Sequence, residues 1–111
     1  MTPTKLKQVA KRVYNCHAEV DDGKVLYSPH GPGTAFRLFM PSLTGEDWQK
    51  AQALEVIVAV LELSPIIEIL SMRVPGAVKI CISSKTGNIN VRADDILTAA
   101  IHAILESRRQ E

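Results

Sequence analysis

The chain has 111 residues, of which 46% are hydrophobic, 23% charged and 5% aromatic, and its formal net charge is +1. These figures fit one small globular domain, residues 1–111, able to bury a core without cross-links. They exclude a disordered, collagenous or low-complexity chain.

The N-terminal stretch MTPTKLKQVAKRVY has no apolar secretory core. Cys16 and Cys81 form neither a CxxC nor a Cys/His ligand spacing, so the expected setting is cytoplasmic, with reduced thiols. Thr2-Pro3 is a helix start, because Thr can cap and Pro is tolerated at the first helical position. Leu6, Val9, Ala10 and Val13 recur at helical spacing and predict an amphipathic helix over 3–14.

Residues 15–20 and 24–28 predict a hairpin, with Gly23 in the Asp21–Lys24 turn free to take a positive φ. Ser28 to Gly33 is a Gly/Pro-rich break. Beyond it, residues 34–40 alternate Phe36, Leu38 and Met40 against Arg37 and Phe39, which predicts a third strand.

Thr44, followed by Glu46 and Asp47, predicts a helix start. The run that follows has two readings. Val-Ile-Val-Ala-Val favours a strand by propensity. The absence of a turn signal, and Glu55 and Glu62 seven residues apart on one stripe, favour a helix over about 45–63. Ser64-Pro65 then predicts a short second helix to about Met72. Glu55, Glu62, Glu68 and Pro65 inside this apolar region argue against a membrane span, since an acid at a bilayer centre costs about 2.5–3.5 kcal/mol.

After Pro75-Gly76, Val78, Ile80 and Ile82 alternate with polar residues, and Ile89 and Val91 continue into a paired strand. Asp94 or Asp95 caps a last helix with Ile96, Leu97, Ala100, Ile101, Ile104 and Leu105 on its apolar face. The predicted order is α-βββ-αα-ββ-α. This is a single-domain α+β layout with an antiparallel sheet packed against helices.

The chemistry-bearing residues form no catalytic pattern. Cys16 and His17 are neighbours on a strand and should point to opposite faces, which disfavours a nucleophile–base pair. His17, His30 and His102 lack metal-ligand spacing, with His17 and His30 the pair that folding would most readily join. The HGPGT loop carries no phosphate-binding signature. The expectation is therefore no enzyme, no metal and no cofactor.

What remains is surface. All five aromatics lie between Tyr14 and Trp48. Aromatic and Arg side chains anchor interfaces, so Tyr27, Arg37, Phe39 and Trp48 are the candidate partner-binding residues. On the alternation, Phe39 is expected outside and Phe36 in the core. The apolar 51–72 segment would need cover on more than one side, either from the chain's own core or from a second copy in a homodimer.

The expected function is a small adaptor, inhibitor or chaperone-like protein that binds another protein. The element order is similar to that of the small type III secretion chaperones, which implies a dimer that binds extended partner segments. The alternative is nucleic-acid binding through Lys5, Lys7, Lys11 and Arg12 of the first helix.

Overall fold

A computed structural model of the protein describes residues 2–29, 35–63, 66–69, 78–84 and 87–109. His30 with its loop, Ser64-Pro65, Pro75-Gly76 and Lys85-Thr86 lie outside the described residues. The elements are α1 (Pro3–Tyr14), β1 (His17–Asp21), β2 (Lys24–Ser28), β3 (Arg37–Leu38), α2 (Asp47–Leu61), β4 (Ile66–Ile69), β5 (Val78–Ser84), β6 (Gly87–Ala93) and α3 (Ile96–Arg109). The class is α+β, with two antiparallel three-stranded sheets, β1-β2-β3 and β4-β5-β6. The chain forms two compact units, Met1–Ala53 and Leu54–Glu111, and the division falls within α2.

In the first unit, Thr2 caps α1 by accepting from the Lys5 amide at 3.4 Å, and Asn15 ends the helix in the left-handed region at φ 49°. The β1–β2 hairpin closes on Asp22-Gly23 with φ 51° and 73°. Positive φ at both central residues is what a tight turn between right-twisted strands requires. One face of the sheet carries Ala18, Val25, Tyr27 and Phe39, all buried, as are Val9 and Ala10 of α1. Tyr14, at the end of α1, stacks on Tyr27 at 4.3 Å and meets the edge of Phe39 at 5.8 Å.

The third strand is shorter than the expected 34–40, and its faces are reversed. Leu26 pairs with Leu38, and Phe39 donates to the Val25 carbonyl at 2.8 Å, which sets Phe39 beside Val25 on the face that α1 covers. Phe39 is therefore 1% exposed, whereas Phe36 is 45% exposed. The alternation itself was legible. It says which residues share a face but not which face is covered.

In the second unit, β4 pairs with β5 from Ile66↔Cys81 to Ile69↔Val78. The short helix expected after Pro65 is thus a strand over Ile66–Ile69. The β-branched Ile66, Ile67 and Ile69 favour a strand over the helix that the Ser64-Pro65 start signal suggests, and pairing with β5, which single-sequence spacing does not reveal, fixes it. On β6, Ile89, Val91 and Ala93 are buried while Asn88, Asn90 and Arg92 are exposed, and α3 packs on β5 and β6. Of the two aspartates proposed as its cap, Asp95 does the capping. Its Oδ1 accepts from the Thr98 amide at 2.8 Å and its Oδ2 from the Thr98 hydroxyl at 3.1 Å.

Candidate docking surfaces

α2 is the element on which the surface question turns. Its helical reading holds through Leu61, but it starts at Asp47 rather than beside Thr44. The Glu46 amide donates to Gln49 Oε1 at 2.9 Å, the backward half of a capping box, and the Lys50 amide bonds the Glu46 carbonyl at 3.0 Å. Thr44 instead bonds Ser42, its amide donating to the Ser42 hydroxyl at 3.3 Å. Gln49 also donates from Nε2 to the Met40 carbonyl at 3.2 Å.

Gln52, 6% exposed, completes the attachment. Its Nε2 donates to the Leu38 carbonyl at 2.7 Å, and its Oε1 accepts from the Met40 amide at 2.8 Å. The carboxamide thus supplies the donor and acceptor that another strand would supply, and so occupies the outer edge of β3. The sequence reading overlooked both glutamines. Their signal was slight: two amides three residues apart in the first turns of a largely apolar helix.

The helix divides lengthwise. Gln52, Ala53, Val56 and Val60 are buried. On the opposite side, Leu54, Val58 and Leu61 are 60%, 51% and 51% exposed, and Ala51 is exposed on the same line. Their 51-54-58-61 spacing gives a continuous apolar stripe. Large exposed apolar side chains in register are less ordinary than scattered ones.

The other candidate surface is the second face of the β1–β2–β3 sheet, where Ser28 is buried and Leu26 and Leu38 are half-buried. Glu19, Leu26 and Leu38 form a row across it. Phe36 and Met40, 45% and 43% exposed, flank Leu38 in sequence. His17 meets the Phe36 ring edge-on at 6.2 Å, and its Nε2 lies 3.7 Å from the Glu19 carboxylate.

Of the predicted partner-binding residues, Arg37 and Trp48 are exposed, whereas Tyr27 and Phe39 are 4% and 1% exposed and belong to the core. Those two aromatics are held by Tyr14 and by each other, at 5.9 Å, and present no ring to a partner. In α1, Lys5 is exposed and Lys7, Lys11 and Arg12 are half-buried. Helical geometry sets Lys7 and Lys11 on one flank of the solvent face and Lys5 and Arg12 on the other.

The Cys16 thiol donates to the His17 carbonyl at 3.5 Å, while the imidazole is turned to Glu19. Burial pushes the Cys16 thiol up from its ordinary 9.0, and a backbone hydrogen bond with Ser28 partly offsets the rise. A thiol held neutral is a poor nucleophile. Among the described residues, no group of three His, Cys, Asp or Glu side chains is placed to hold a metal ion. Among them, too, no helix is long and apolar enough to cross a membrane. Comparison with protein-family models, with curated proteins and with solved structures found no match to this chain.

Proposed function

We propose that this chain is a non-enzymatic protein-binding protein that works as a homodimer. It joins its copy through α2 and offers the second face of the β1–β2–β3 sheet, at Phe36 and Met40, to an apolar segment of another protein. The observation that carries the reading is the α2 stripe. A helix with a buried side and a second apolar side in water gains by meeting another apolar surface. The sheet face adds a half-exposed aromatic, Phe36, backed by Leu26 and Leu38, the kind of ring that anchors an interface.

The test combines two variants at exposed positions. Leu54→Glu should make the protein monomeric in sedimentation velocity. Phe36→Asp should leave the dimer intact and abolish recovery of a partner from host extract. A wild-type chain that sediments at 12.2 kDa at every concentration overturns the dimer. Partner recovery unchanged by Phe36→Asp overturns the docking face.

A further inference from the structure

The α2 stripe has the pattern of a specific self-pairing seam, and its flanking charges select an orientation. Ala51 and Val58 fall on one line of a seven-residue repeat and Leu54 and Leu61 on the other. In a parallel pair, a β-branched residue on the first line, here Val58, with Leu on the second favours two strands over three or four. The face opposite, Gln52, Ala53, Val56 and Val60, is buried within the chain's own fold, so the seam and the fold use different sides of the helix.

Lys50 and Glu55 are exposed and border the stripe on opposite flanks. In a parallel, in-register pair, the residue on one flank meets the residue five positions later on the other flank of the partner helix. Lys50 then faces Glu55 of the second copy, and the two-fold axis makes this contact twice. In an antiparallel pair like flanks face each other. Matching Leu54 to Val58 and Ala51 to Leu61 would then bring the two copies of Glu55 together near the centre. Charge complementarity thus favours one arrangement and penalises the other.

We infer that two copies of this chain associate through a parallel, in-register pairing of α2, with Leu54, Val58 and Leu61 packed against their counterparts and Lys50 paired with Glu55 of the second copy. This rests on the homodimer reading and fixes its geometry. The helix is already held by the folded chain, so pairing does not bear the cost of helix nucleation that defeats isolated two-repeat peptides.

Sedimentation equilibrium on the full chain tests it, with circular dichroism to confirm that each variant is folded. Leu54→Glu should weaken the dimer at least about 100-fold, because it puts a charge in the centre of the seam. Glu55→Lys should weaken it about 3- to 10-fold, and the added Lys50→Glu change should restore the wild-type value. In a background of Cys16→Ser and Cys81→Ser, Leu61→Cys should cross-link to its own copy under mild oxidation. Parallel pairing puts the two position-61 side chains side by side, and antiparallel pairing separates them by ten residues of helix, about 15 Å.

A chain monomeric throughout overturns both the homodimer and the seam. A dimer indifferent to Leu54→Glu leaves self-association standing and overturns the seam. A dimer that needs Leu54 but is indifferent to Glu55→Lys, or fails to cross-link at position 61, overturns the parallel register alone.

Discussion

At the scale of single residues, the contrast between Phe36 and Phe39 shows what a sequence hides. Both lie on one short run, three positions apart, and strand alternation assigns them correctly to opposite faces. Only the pairing of Leu26 with Leu38, and the Tyr14 ring arriving from α1, make the Phe39 side the interior. Phe39→Ala should therefore cost about 3–5 kcal/mol in chemical denaturation, since the cavity opens beneath Tyr14 and Tyr27. Phe36→Ala should stay within about 0.5 kcal/mol. Equal effects would return Phe36 to the core.

Cys16 gives a second prediction at this scale. Burial raises its folded-state pKa above the unfolded value near 9.0, so the folded chain holds the thiol proton more tightly. That contribution to stability is complete below about pH 9 and is lost as pH rises through the folded value. Melting temperature measured from about pH 8 to pH 11 should fall more steeply for the wild type than for Cys16→Ser. Parallel curves would remove the thiol from the account.

At the scale of elements, legibility followed whether the deciding interaction was local. The 3–14 helix, the Asp22-Gly23 hairpin and the β5–β6 pair were readable because caps, turns and periodicity lie within a few residues of one another. The strand at Ile66–Ile69 was not, because its partner is β5, beyond a stretch of chain that carries its own break signals. The start of α2 was misplaced for a similar reason. Thr44 has the right residue type for a cap, yet Gln49 reaches back to Glu46, and Gln49 and Gln52 together bond Leu38 and Met40 across a loop.

Gln52 is the more consequential of the two glutamines. Gln52→Ala strips a partner from one backbone carbonyl and one backbone amide at a part-buried edge. The expected cost is about 2–4 kcal/mol, at 1–3 kcal/mol for a group left unsatisfied, less what water recovers. Amide exchange at Met40 should accelerate with it. Gln52→Glu keeps the acceptor for Met40 but sets a buried carboxylate oxygen against the Leu38 carbonyl, so at neutral pH it should cost at least as much as the alanine variant, and less at acid pH, where the protonated group can donate to Leu38. An alanine variant as stable as the wild type would show that water replaces the carboxamide at no cost.

At the scale of the whole molecule, the sparse aromatic content acquires a location and a division of work. Every aromatic lies in the unit Met1–Ala53, where Tyr14, Tyr27 and Phe39 cluster, and the unit Leu54–Glu111 builds its interior from Val, Ile, Leu and Ala. The net charge of +1 leaves little long-range repulsion between copies. Among the described residues, the most exposed large apolar side chains are Leu54, Val58 and Leu61 of α2. If a second copy covers that stripe, stability must depend on protein concentration, because association draws on the folded chain alone. Each tenfold rise in concentration adds about 1.4 kcal/mol per dimer, or roughly 0.7 kcal/mol per chain. For a domain of this size that corresponds to a melting temperature higher by about 3–5 °C. The Leu54→Glu variant, monomeric but with its own interior intact, should melt at one temperature at every concentration. A wild-type melting temperature equally independent of concentration would mean that the α2 stripe faces water in the working protein.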